Sequence, residues 1–287
     1  MSADNDSASK YRNDPRSTDE LLGLALTKDA DRDNDDYWQP VAALQHRLPQ
    51  IIETIQNLSN NNDDKSRDTA ATILGQGWVG TKFASDRAAG ILLRMLVQEQ
   101  STSVLVSIIF ALGHLPDPRA VEPLVSLRSH VDAHVRYAIV SSLCGCAEEQ
   151  AIAALIERSA DEDRDVRNWA TFGLGSQIDT DTPAIREALF ARLKEEDDEI
   201  RGEALVGLAR RGDTRMVAAL LEELETQETD VLRDWILITE AAEAIVAHAK
   251  TSGSKECQPL LTRLAALGIG KQDEIQAAMS QCISSQQ

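Results

Sequence analysis

The chain has 287 residues, 43% of them hydrophobic and only 4% aromatic, and its 29 Lys+Arg against 47 Asp+Glu leave a net charge of −18. So acidic a surface repels phosphate and disfavours nucleic-acid binding, which needs a basic face; it favours solubility and basic protein partners. The four cysteines show no disulfide-framework spacing, and the N-terminus has neither the basic region nor the apolar core of a signal peptide. The longest apolar run, around Val104 to Leu112, falls far below the ~18 residues a membrane helix needs, so a reduced, cytoplasmic protein without a membrane association is expected.

In chain order, residues 1–16 are polar and predict a disordered tail. Residues 17–36 predict a short helix and an acidic linker: Ser17-Thr18-Asp19-Glu20 reads as a capping box opening a helix over Leu21 to Lys28. The Asp spacing in Asp29–Asp36 resembles the start of a calcium loop, but Asn34 replaces the glycine and Pro40 the final glutamate, so a solvated linker is the expectation. Residues 37–287 form one repeating array. It opens with a divergent hairpin from Trp38 to Leu58, and its Gly75-Gln76-Gly77-Trp78-Val79-Gly80 stretch reads as a long loop between repeats.

The repeating piece is clearest in Asp163 to Gly175, which returns as Asp197 to Leu208, Asp132 to Leu143 and Asp63 to Gly75. Its arginines stand at 67, 136, 167 and 201, with Leu105 in the slot of one further copy, so neighbouring copies are 38, 31, 31 and 34 residues apart. Val166, Ala170 and Leu174 supply one apolar stripe at helical spacing. Asp63, Asp132, Asp163 and Asp197 lie four residues before Arg67, Arg136, Arg167 and Arg201, where each can cap a helix and join the arginines in a structural ladder. Gly75, Gly113 and Gly175 are expected to close helices in the left-handed conformation.

A second helix completes each unit: Asp117-Pro118 opens one with proline at the first helical position, and Ala151–Arg158, Thr182–Leu193 and Asp213–Leu224 match it. No segment has the alternation of a strand. One such hairpin cannot bury its own apolar face, whereas a row of them shares a core. Beyond Leu224 the pattern drifts, as terminal repeats do, through a linker at Thr251–Ser254 and helices at Cys257–Leu267 and Asp273–Cys282, with a frayed end at Ser284–Gln287.

Val/Ile-Arg-x-x-Ala-x-x-x-Leu-Gly followed by Asp-Pro-x-Ala-Val-x-x-Leu resembles HEAT repeats, in particular the short bacterial bilin-lyase-type HEAT-like repeats, over residues 63–225. The resemblance implies an all-α, right-handed α-solenoid, a HEAT-like superhelix of about six to seven helical hairpins with divergent caps at both ends. It also implies that the Arg-bearing helices line the concave side. Positions after each arginine then face the groove or the next repeat, which makes Tyr137, Asn168, Trp169, Glu203, Asp234 and Trp235 candidate partner-binding residues. The tryptophans can equally plug gaps between repeats.

Members of this family serve as scaffolds, adaptors, bilin-lyase subunits, a hydroxylase and DNA-glycosylase relatives, so fold alone assigns no function. The hydroxylase branch uses His-Glu pairs for iron, and this chain has no His-Glu dipeptide. His130 and His134 have a spacing that could share a metal on a helix, with Cys144 and Cys146 further on, but they are expected to straddle a loop. No nucleophile elbow or phosphate loop is present, so no catalytic residue and no cofactor is expected. The expectation is a non-enzymatic adaptor or toxin-immunity-type scaffold for a basic protein, against the alternative of a lyase- or oxidoreductase-type enzyme or enzyme subunit.

Overall fold

A computed structural model describes residues 11–27, 35–75, 82–115, 117–226 and 232–284, side chains at 35–37, 82–84, 226 and 232–235 excepted. Asp29 to Asn34 of the acidic linker, the stretch Gln76 to Gly80 and the last residues, 285–287, lie outside the described residues, as do the side chains of Asp234 and Trp235. Among the described residues every regular element is helical, and the chain divides into two compact units, Met1–Ser142 and Leu143–Gln287.

The first unit contains α1 (Thr18–Thr27), α2 (Asp35–His46), α3 (Leu48–Ser59), α4 (Asp64–Gly75), α5 (Lys82–Gln98), α6 (Thr102–Gly113), α7 (Val121–Ser126) and α8 (Ala133–Leu143), whose last residue belongs to the second. Consecutive helices pair into hairpins, α1 with α2, α3 with α4 and α5 with α6, and the second members stack, α2 on α4 and α4 on α6. Leu21, Leu44, Ile55, Leu74, Leu92, Ile108 and Ile139 are fully buried between the layers.

The second unit repeats the scheme with α9 (Glu149–Arg158), α10 (Arg164–Phe172, continued by a π turn over Gly173–Gln177), α11 (Pro183–Arg192), α12 (Asp198–Arg210), α13 (Val217–Thr226), α14 (Leu232–Ser252), α15 (Gln258–Leu267) and α16 (Gln272–Ser284). Here α10, α12, α14 and α16 form one layer, and the first members of the hairpins cover it. The stripe read from the sequence is the one buried: Val166, Ala170 and Leu174 have no exposed surface. Gly253 at φ +64° closes α14, in the stretch read as a linker.

Paired in this way, the described helices make three hairpins in the first unit and four in the second, in line with the expected six to seven. The first of them begins with the short helix expected after Ser17 and is completed by α2, whose first turn takes up Asp35 and Asp36 of the stretch read as linker. Asp14 there takes the Arg16 backbone N–H and Nε, each at 2.9 Å, and Arg47 Nη2 donates to the Asp14 carbonyl at 2.7 Å, so residues 14–16 are the entry turn of α1 rather than part of a structureless tail. The same fork recurs at Asp117/Arg119, with bonds of 3.0 and 2.9 Å, and at Asp213/Arg215, with 3.2 and 2.9 Å. Asp-x-Arg therefore opens three of the helices: aspartate caps the backbone, and its arginine neutralises it.

Gly75, Gly113 and Gly175 differ from expectation. None has a left-handed φ; that conformation occurs instead at Gly145, Gly212, Gly253, Gly268 and Gly270. A Cβ on Gly75 would lie 2.6 Å from Ala111 Cα, one on Gly113 2.9 Å from Ser142 Cα, and one on Gly175 2.6 Å from the Glu203 carbonyl oxygen. These glycines are contact points where successive motif helices meet backbone to backbone.

Candidate functional site: the motif turns and the face beside them

At each motif turn the aspartate and the arginine have separate tasks. Asp63 accepts from Ser66 N at 2.8 Å, Asp132 from His134 N at 2.8 Å, Asp163 from Val166 N at 3.1 Å and Asp197 from Ile200 N at 3.1 Å. These are N-caps. The bonded amides hold the carboxyls of Asp63 and Asp132 below the usual range, and for Asp197 the foremost cause is Arg164 of the preceding repeat.

Each arginine turns back to the carbonyls that precede its own helix. Arg67 Nη1 donates to Asn61 and Asn62, Arg136 Nη1 to His130 and Val131, Arg167 Nη1 to Asp161 and Glu162, and Arg201 Nη1 to Glu195, all within 2.8–3.1 Å. The free edge of the guanidinium then reaches a glutamate of the following repeat. Arg67 makes two bonds to Glu99 at 2.8 and 2.9 Å, Arg201 bonds Glu223, and Arg167 Nε stands 3.6 Å from Glu195. The charge ladder of Arg67, Arg167 and Arg201 thus runs arginine to next-repeat glutamate, not arginine to the aspartate four residues before. Aspartate joins it at Asp197, which accepts from Arg164 Nε at 2.8 Å.

Sequence reasoning missed Arg211, which is 9% exposed and donates to the carbonyls of Leu174, Gly175, Ile178, Thr180 and Gly207. It ties the π turn at the end of α10 onto α12. Burial pulls its pKa down from the ordinary arginine value. The available signal was an arginine just after the last apolar position of a helix, which is too common to single out.

The candidate partner-binding residues have four placements. Tyr137 is half-buried on α8, its ring edge-on to Phe110 of α6 with centroids 6.2 Å apart. Trp169 is half-buried on α10, edge-on to Phe172 at 5.6 Å. Glu203 on α12 is buried and accepts from Ser176 Oγ at 2.7 Å, and Asn168 is buried with Oδ1 lacking any hydrogen-bond donor. Two aromatic pairs therefore show part of their rings beside the arginine turns.

His130 and His134 flank Asp132. His130 Nδ1 accepts the Asp132 N–H at 3.1 Å, and His134 Nδ1 stands 3.3 Å from its carboxylate. Among the described residues no three His, Cys, Asp or Glu side chains are grouped to hold a metal ion. Cys144 lies under α10 with Sγ 3.6 Å from the Trp169 carbonyl, and burial pushes its thiol up to about 12. That is the setting of an inert packing thiol. Nor, among the described residues, is any helix long and apolar enough to cross a membrane.

Residues 89–175 and 152–241 each match the family described as HEAT repeats, and together they span more than half of the chain. Protein YibA of Escherichia coli (strain K12) is 29% identical over 165 residues, 55% of this chain and 58% of that protein. The chain is thus matched to less than two thirds of that relative's length. The X-ray structure of E. coli YibA superposes with a TM-score of 0.70 at 25% identity, covering 98% of this chain and 97% of that one. A crystal structure of an engineered protein gives 0.58 at 18% identity, covering 92% and 77%, which is a likeness of fold alone.

Proposed function

Because this chain belongs to the HEAT-repeat family, we propose that it is a non-enzymatic, cytoplasmic binding module whose motif helices hold a basic protein partner. The reading rests on the two aromatic pairs, Phe110/Tyr137 and Trp169/Phe172, left half-buried on the motif helices instead of sealed into the core. Rigid aromatic rings bury large area at low entropic cost and are enriched among residues that dominate binding energy. The net charge of −18 adds long-range attraction for a cationic partner and repulsion for nucleic acid.

The motif turns suit a scaffold. Their arginines are committed to backbone carbonyls and neighbouring glutamates, so the partner meets a preformed surface and little ordering entropy is lost on binding. The test is affinity capture on the purified full chain at low and high salt, with the eluates identified by mass spectrometry. Basic proteins released by salt are expected. Recovery of nucleic acid alone, or of acidic proteins that salt does not displace, would contradict the reading.

A further inference from the structure

The ends of α3 and α5, with the first turn of α4, enclose a cleft of about 290 Å³ within the first unit. Its charged lining consists of Arg67, Glu99 and Arg94. Glu99 is fully engaged. It takes two bonds from Arg67, at 2.8 and 2.9 Å, and the backbone N–H groups of Gln100 and Ser101, at 2.9 and 2.8 Å. Arg67 in turn gives its other N–H groups to the carbonyls of Asn61 and Asn62 and to Asp64. Those bonds cover carbonyls that follow α3, and Asn60 Nδ2 covers that of Gln56, which offsets the negative end of the helix.

Arg94 is different. It is exposed on α5, and among the described residues it has neither hydrogen bond nor ion pair. The charge left uncommitted in the cleft is therefore a guanidinium, on a chain whose net charge is −18. The rest of the lining is not ionic. Ile91 and Met95, one turn apart on α5, are buried and floor the cleft, and the exposed side-chain amides of Gln98 and Gln100 line it beside them. A guanidinium fork matches a carboxylate, side-chain amides match a peptide group, and an apolar floor takes an aliphatic side chain. The last residue of a peptide carries all three side by side.

We propose that this cleft binds the free C-terminus of a peptide with an aliphatic last residue. Arg94 takes the terminal carboxylate, Gln98 and Gln100 the last peptide group, and Ile91 and Met95 the final side chain. The site is separate from the aromatic pairs and does not depend on the net charge of the partner described above.

The test uses the full chain and the tripeptide Ala-Ala-Leu with a neutral fluorophore on its N-terminus, followed by anisotropy near physiological salt. Two further peptides are the C-terminal amide of the same sequence and the amide of Ala-Ala-Glu, whose carboxylate sits on a side chain. The free acid should bind, and both amides should bind at least about tenfold more weakly. Arg94→Gln should weaken the free acid about tenfold, and Arg94→Lys, which keeps the charge but not the fork, should fall between. Gln98→Glu, which adds a carboxylate to the cleft, should weaken it as well. Arg12→Gln removes the same charge as Arg94→Gln from an exposed position elsewhere in the first unit and should leave binding unchanged. Arg94 and Gln98 are exposed, so unchanged melting is expected and verifies the fold. The site is overturned if the free acid fails to bind, if its amide binds equally well, or if Arg94→Gln matches the wild type. Equal losses in Arg12→Gln and Arg94→Gln would also overturn it, by showing attraction to overall charge alone. Equal binding of the Ala-Ala-Glu amide would overturn the assignment to a C-terminus.

Discussion

At the scale of single residues, the fold is held by side chains that close backbone ends. Asp163 satisfies the amides of Asp165 and Val166, so Asp163→Ala should cost about 1 kcal/mol, read from the urea midpoint of the whole chain. Arg211 serves five carbonyls from a buried position, and Arg211→Met would remove its side-chain donors from all of them. A loss of about 3 kcal/mol or more is expected, well beyond that of the cap. A smaller loss for Arg211→Met than for Asp163→Ala would show that water enters and replaces the guanidinium. The caps were legible in the sequence because capping is local: an aspartate three residues before a buried valine or isoleucine is enough. The arginines' partners were not, since carbonyls carry no sequence signature and the receiving glutamates stand at irregular distances, 32 residues on for Glu99 and 22 for Glu223.

At the scale of elements, the repeat depends on small residues where helices touch. Gly75→Ala would push a methyl to within 2.6 Å of Ala111 Cα, forcing α4 and α6 apart at a cost of roughly 1–3 kcal/mol. Gly23→Ala is the opposite case. Gly23 is exposed inside α1 with nothing within 4 Å, so alanine should stabilise by up to about 1 kcal/mol. Thermal melting of the two variants should therefore shift in opposite directions; a shared direction would contradict the contact role of Gly75. Periodicity made the hairpins and their buried stripe readable from residue 63 onward. The glycines were misread because a glycine after a leucine at a helix end fits a left-handed cap and a close helix contact equally well, and only the neighbouring helix decides. The helix after Ser17 was legible from its capping box; the turn at 14–16 that leads into it was not, because Asp-Pro-Arg was averaged into a polar tail, although the same tripeptide stands at 117–119.

At the scale of the whole molecule, charge governs both stability and association. Arg16 holds the Asp14 carboxyl down to about 2, Arg67 lowers Glu99 from its ordinary value of 4.5, and Arg215 lowers Asp213 from 3.8. Carboxylates with depressed folded values contribute stability that is complete above their ordinary values and is lost as pH falls through the folded ones. The denaturation midpoint should therefore be flat above about pH 5 and fall steadily from about pH 4 towards pH 2. A midpoint that rises on acidification would mean that relief of repulsion at net charge −18 outweighs the lost ion pairs.

The fold class was legible at this scale because a repeat in register is a global signal. The binding face was legible only as positions. Whether Trp169 is sealed or partly open depends on the packing of α10 against its neighbours.

The most direct measurement compares affinity capture by the wild type with capture by Tyr137→Ser and Trp169→Ser, each first shown to melt at the wild-type temperature. If the half-buried rings are what a basic partner grips, its recovery should drop at least about tenfold in one or both variants. Equal recovery from wild type and both variants, with melting unchanged, would contradict a binding role for these rings.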